Sequence, residues 1–172
     1  MSKDNKNTIL MIGDVDDDMF KKLHNDMVEA NQKEPLYIRL MSDGGNLSVA
    51  RGIYDLIREF KSYVTIKCFG EVSSSATIIL QAADNRVMGA NSKIMIHVGE
   101  NGDNSGHPRN AERTAEQDKI DEKWMEDKYL EKIKEKKPRF TRNQLKKMLE
   151  YDTYLNPKQA LELGLIDSIG EA

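Results

Sequence analysis

Cysteine is nearly missing from this chain. A single thiol, Cys68, in 172 residues cannot close an intramolecular disulfide and cannot by itself build a zinc site. A disulfide-stapled scaffold is therefore excluded, and the expected location is cytoplasmic. Histidine is scarce too: His24, His97 and His107 stand far apart, with no His-x-x-His or Glu-x-x-His pairing, so no metal is expected. No apolar run approaches the ~20 residues that span a bilayer, and the polar start MSKDNKNT leads into no signal-like stretch, so no membrane contact is expected. Charge of one sign is lacking as well. With 26 Lys plus Arg against 29 Asp plus Glu the formal net charge is −3, which offers nothing to nucleic acid or to an anionic membrane.

What the chain has is charge of both signs. Charged residues make up 32% against an average near ~25%, and hydrophobic residues reach 38%, below the usual ~45–50%. The excess is local: residues 110–137 carry 9 acidic and 8 basic side chains in 28 positions, with a thin apolar stripe at Ile120, Trp124, Leu130 and Ile133. A helix this polar is not expected to pack along its whole length; it projects or lies between subunits. The other 144 residues hold 38 charges, about 26%, an ordinary value. The length suits one domain. The expectation is a compact head, residues 8–98 and 139–169, bearing a loop and helix over 99–138. Near-balanced charge fits a subunit whose partners are copies of itself.

The head reads as α/β. Thr8 to Ile12 is a short apolar run ended by Gly13-Asp14, and Met19, Leu23 and Met27 then recur every four residues behind Asp16 to Asp18. Leu36 to Met41 resumes a strand, and from Ser48, the expected N-cap, Val49, Ile53, Leu56, Ile57 and Phe60 mark a strongly amphipathic helix. Val64 to Phe69 predicts a third strand and Ser73 to Ala83 a buried helix, with short strands at Arg86 to Met88 and Lys93 to Val98. Three strand-helix repeats imply a parallel sheet with right-handed crossovers. Residues 99–109 read as a mobile loop; helices follow at Thr141 to Leu149 and Pro157 to Leu163, the latter stopped by Gly164.

Ligands in such folds gather where strands end and helices begin. At Ser42-Asp43-Gly44-Gly45-Asn46 two glycines allow backbone N–H groups to approach a developing oxyanion, or simply make a tight turn. At Gly70 to Ala76 (GEVSSSA) a serine at a helix start is either a nucleophile or an N-cap. No Gly-x-Ser-x-Gly elbow is present. His97 ends a strand where a base could face a cleft, and equally where a structural histidine would sit. Asp152, flanked by Tyr151 and Tyr154, is either an orienting carboxylate partly buried by those rings or a turn residue. Together they supply a serine, a histidine, an aspartate and a Gly-Gly turn, each at an element boundary.

These blocks, with Asn91 to His97 and Ala160 to Asp167, resemble the proteolytic subunit of the Clp protease family, ClpP, over about Thr8 to Ile169. The resemblance implies the ClpP/crotonase-like fold and a serine endopeptidase. Its nucleophile falls on Ser74, its base on His97 and its orienting carboxylate on Asp152. It further implies an oxyanion hole from the N–H groups of Gly44 and Ser75, and a substrate strand held by Gly45 and Asn46 on one side and Val98 and Gly99 on the other. The charged helix then matches the family's handle, which interlocks two stacked heptameric rings of like subunits around a chamber where unfolded proteins or peptides are cut. No cofactor is implied; ATP would enter only through a Clp-type AAA+ ATPase partner, and the few residues ahead of Thr8 count against its docking. The family's Gly-Gln-Ala-Ala-Ser-Met-Gly is Gly-Glu-Val-Ser-Ser-Ser-Ala here, which brings Glu71 near the serine turn. The family's Gln-Pro after the histidine is Val98-Gly99. Other readings of the same residues are a non-catalytic ring subunit, a specialised processing protease such as one for viral capsids, and a crotonase-like acyl-CoA enzyme.

Overall fold

The computed structural model describes residues 7–99 and 108–170, and side chains of the long helix from Arg113 onward. The expected loop over 99–109, His107 included, lies almost wholly outside the described residues. Strands β1 (Thr8–Ile12), β2 (Leu36–Ser42), β3 (Val64–Ser73) and β4 (Asn85–Met88) pair in parallel in that order, and β7 (Ser168–Ile169) closes the far edge. Helices α1 (Asp17–Glu29), α2 (Leu47–Arg58) and α3 (Ser75–Leu80) follow the first three strands. The mixed α/β class with a parallel sheet is as the periodicity implies. Along β1 and β2 burial alternates strictly, so one face meets the core while Leu10, Ile12, Tyr37 and Met41 face outward.

Strand β3 runs four residues further than Phe69. Its first half, Thr65 to Cys68, pairs with β4; after a register shift opposite Leu40 to Ser42, Glu71 to Ser73 pairs with β5 (Lys93–Ile96). The extension delivers the serine turn to the sheet's end. It also shortens the expected helix, which starts at Ser75 rather than Ser73. In α2 the cap is Asn46, not Ser48: its Oδ1 accepts from the N–H groups of Ser48 and Val49 at 2.8 and 3.2 Å. Strand β6 (Thr153–Leu155), absent from the sequence reading, runs antiparallel to β5.

The long helix α4 (Pro108–Lys136) is more buried than its composition suggests. Ile120 is 59% exposed, whereas Met125, Tyr129, Leu130 and Ile133 enter the core. The stripe therefore begins at Trp124 and Met125 and covers the second half alone. Tyr129 can be fully buried because its hydroxyl meets Thr77 Oγ1 at 2.5 Å. Buried Glu126 accepts from Arg142 at 2.6 Å, at the start of α5 (Arg142–Leu149), so the second half of the helix is tied to the head by charge as well as by packing.

A second buried charge closes the sheet's other edge. Arg86, 3% exposed, donates to Asp167 through Nε (2.9 Å) and Nη2 (2.6 Å), and to the Gln81 side chain and the carbonyl of Gly164, which ends α6 (Pro157–Leu163). Partial burial opposes ionisation of Asp167, but the bonds from Arg86 outweigh it and hold the carboxyl below its ordinary value. A depressed folded-state value stabilises the protein above the unfolded carboxyl's titration and is lost as pH falls through the folded one. Asp167→Ala removes the closest carboxylate from the buried guanidinium, leaving Gln81, the Gly164 carbonyl and Glu135 at 4.0 Å, and with Asp167 38% exposed is expected to cost about 1–3 kcal/mol in denaturant unfolding near neutral pH. Its difference from the parent should shrink as both are acidified. An unchanged midpoint, or a difference constant with pH, would show that the pair contributes little.

Candidate active site

Antiparallel pairing of β5 with β6 sets the first contact. Ile94 faces Leu155, Met95 faces Tyr154 and Ile96 faces Thr153, so the next position in register puts His97 opposite Asp152. His97 Nδ1 lies 2.9 Å from Asp152 Oδ1. A carboxylate only accepts, which places the ring proton on Nδ1 and leaves Nε2 as an acceptor. Nε2 lies 2.8 Å from Ser74 Oγ. The three side chains form one hydrogen-bonded row from three separate segments. Asp152 is not sheltered by its tyrosines: its side chain is 58% exposed, and Tyr151 and Tyr154 point to solvent.

Ser74 is the one non-glycine residue with positive φ among the described residues, at φ 53° and ψ −131°. It stands at the N-cap position of α3, yet its side chain makes no capping bond. The capping role is thus ruled out by geometry, and a strained backbone aims the hydroxyl at His97 instead. Its neighbours are occupied elsewhere. Ser73 Oγ donates to Glu71 Oε1 at 2.9 Å, and Ser75 Oγ donates to the Gly45 carbonyl at 3.1 Å. Glu71 in turn meets Lys93 across the β3–β5 pair at 2.6 Å; the lysine hydrogen bond holds its carboxyl below the ordinary value. Behind the turn, Thr77 Oγ1 donates to the Ser74 carbonyl at 2.6 Å and receives the Tyr129 hydroxyl, which burial keeps protonated by pushing its titration upward.

The glycine turn sits against this serine. Gly44 N–H donates to Ser42 Oγ at 3.1 Å and is thereby occupied. Val15 N–H donates to the Gly44 carbonyl and Asn46 N–H to the Val15 carbonyl, both at 2.8 Å, so Gly45 turns its own polar groups away from Val15. Its carbonyl meets Ser75 Oγ, while its N–H and that of Ser75 have no partner among the described residues. Among the described residues the Gly44 N–H, expected to serve the oxyanion, thus meets Ser42 Oγ, while the Gly45 N–H meets nothing. A cleft of about 390 Å³ opens here, walled by Gly45, Asn46, Ser74, Ser75, His97, Val98 and Gly99 together with α4. It gathers every expected site residue except Gly44 and Asp152. Sequence reading missed the wall from α4, Asp118 to Met125, because a charged helix looks solvated until its neighbours are known. No group of residues suited to a metal and no helix long and apolar enough to cross a membrane occurs among the described residues.

The family model for Clp protease matches residues 3–172. The chain belongs to the Clp protease family. Similar curated proteins include ATP-dependent Clp protease proteolytic subunits of Mesostigma viride, 27% identical over 92% of this chain and 69% of that protein, and of Chlorella vulgaris, 26% identical over 94% and 80%. Among solved structures, a point mutant of ClpP1 from Listeria monocytogenes superposes with a TM-score of 0.85 at 21% identity, covering 98% of this chain and 93% of that one. Membership makes the chain a ClpP peptidase, and the shared fold places its strands and helices as in a ClpP subunit.

Proposed function

We propose that this ClpP relative is a serine endopeptidase acting on peptide bonds through Ser74, His97 and Asp152. One observation carries the reading: Ser74 holds a strained backbone to bring its hydroxyl 2.8 Å from His97, which Asp152 orients from the other side. Ser74 Oγ attacks the carbonyl while its proton passes to His97 Nε2; Asp152 holds the tautomer and offsets the imidazolium charge. The oxyanion that forms is received by the N–H groups of Gly45 and Ser75, the two unoccupied donors beside the nucleophile. His97 then returns the proton to the leaving amine, and water repeats the sequence on the acyl-enzyme. Substrate lies extended between Gly45-Asn46 and Val98-Gly99, held mainly through its backbone.

Labelling with a fluorophosphonate, followed by peptide mapping, tests the nucleophile. The parent, Ser73→Ala and Ser75→Ala are expected to carry the label at Ser74, and Ser74→Ala to carry none. Labelling of Ser74→Ala to the parent's extent would overturn the assignment.

The same reading makes the chain a subunit of a homo-oligomer, two stacked heptameric rings interlocked through α4, working in the cytoplasm without a cofactor of its own. Exposed Ile120, set in the charge-rich stretch of α4 that follows Arg113, supports it. A Clp-type AAA+ ATPase is the partner through which ATP would act. Light scattering is expected to give a mass near fourteen chains; a stable monomer at high concentration would refute the ring.

A further inference from the structure

The wall of the cleft contributed by α4 is acidic. Asp118, Asp121 and Glu122 line the same cavity as Ser74 and His97, with Met125 as an apolar floor and no lysine or arginine among the described lining residues. One of the three is neutralised: Asp121 accepts from Arg51 at 2.8 Å, and that guanidinium lies over the Trp124 ring. Further along the helix Glu126, Asp127, Glu131 and Glu135 also have basic partners. Asp118 and Glu122 have none among the described residues. They stand four positions apart on one helix face and are half-buried in the cleft wall. Two carboxylates left unpaired and partly desolvated beside a nucleophile repel one another and any acidic substrate group. A cationic side chain entering the cleft relieves both.

Resting on the serine-peptidase reading, we infer that Asp118 and Glu122 are specificity-determining residues that select substrates presenting a lysine or arginine side chain to the cleft beside Ser74. The floor suits this choice. Met125 and the methylene stem of a long basic side chain pack together while the charged head reaches the carboxylates. A leucine would fill the floor and leave both carboxylates unsatisfied; a glutamate would add a third negative charge.

The test uses peptidyl aryl phosphonates that differ only in the side chain next to the reacting phosphorus: aminobutyl, isobutyl or carboxyethyl. Ser74 Oγ bonds to phosphorus, the aryloxide leaves and the hydroxyl proton goes to His97, so labelling rates report recognition without turnover. The parent chain is expected to label with the aminobutyl probe at least about tenfold faster than with the isobutyl one, and slowest with the carboxyethyl one. The ratio should shrink as ionic strength rises. In Asp118→Asn/Glu122→Gln it should fall toward one, and Glu122→Lys should shift preference toward the carboxyethyl probe. Equal rates in the parent, or a preference kept in the double variant, would overturn the inference. A plain fluorophosphonate run in parallel separates the two levels. Normal labelling by it with no cationic preference rejects the specificity alone; no labelling by any probe rejects the serine-peptidase reading and the specificity with it.

Discussion

Alanine at Ser74 is expected to lower kcat on a short peptide by about 10⁴-fold or more, with KM nearly unchanged. His97→Ala should cost about as much, and the double variant little more than either, because the hydroxyl is a poor nucleophile without its base and the base is idle without the hydroxyl. Asp152→Asn should cost less, about 10³-fold. The carboxylate is 58% exposed, so water replaces part of the charge stabilisation that a buried aspartate would supply alone. Ser73→Ala and Ser75→Ala should each cost under about tenfold, since their hydroxyls are engaged with Glu71 and the Gly45 carbonyl and each loses one ordinary hydrogen bond. Initial rates on the five single variants and the double variant decide the matter. Additive losses in Ser74→Ala/His97→Ala, or a Ser73→Ala loss equal to that of Ser74→Ala, would show that the row bonded at 2.8 and 2.9 Å is not the catalytic unit.

Much of this was legible in the chain as a string of residues, and the exceptions have physical reasons. Periodicity marks strands and amphipathic helices wherever one face is buried, which is why Met19, Leu23 and Met27 point correctly to the core. Candidate site residues stand at strand ends, but their types leave each open between a catalytic and a structural role, and the assignment to Ser74, His97 and Asp152 comes from the family resemblance. Strand β6 was not legible, since three residues, the middle one exposed, carry no period of their own and exist by pairing with β5. The alternation rule also cannot tell that β3 continues past Gly70. The backbone of Ser74 is hidden for a different reason: local propensity favours an N-cap there, and only the surrounding turn holds φ at 53°. The bond from Gly44 N–H to Ser42 Oγ is a contact two residues back that two adjacent identical residues cannot announce. The second half of α4 looks solvated because charge dominates its composition, and the burial of Met125 and Tyr129 shows only once the head is packed against them.

Those two glycines carry the other large expected effect, and they should fail differently. A Cβ built on Gly45 would stand 2.6 Å from the Val15 carbonyl oxygen and 2.9 Å from its nitrogen, both backbone atoms that cannot turn aside. Gly45→Ala must therefore break the two 2.8 Å bonds that tie Val15 to the turn, and it imposes a side chain at φ +146°. Each bond contributes about 1 kcal/mol and the dihedral about 1–3 kcal/mol, so a loss of about 3–5 kcal/mol in unfolding free energy is expected. On Gly44 the added carbon would lie 2.7 Å from Ser74 Cβ and 2.9 Å from the Ser73 carbonyl oxygen. Relief there requires the nucleophile itself to move, and a displacement near 1 Å is enough to cost about 10²-fold in rate. Gly44→Ala is thus expected to fall mainly in kcat, whereas Gly45→Ala should lose stability and kcat together, because breaking the bonds to Val15 also displaces the N–H that receives the oxyanion. Gly13→Ala separates strain from collision: φ is +106° but nothing lies within 4 Å of the built Cβ, so it isolates the dihedral cost. Denaturant midpoints and peptide rates for the three variants read both axes. If Gly45→Ala is no less stable than Gly13→Ala, the bridge to Val15 does not hold the turn; if Gly44→Ala keeps the parent's kcat, the turn does not position Ser74.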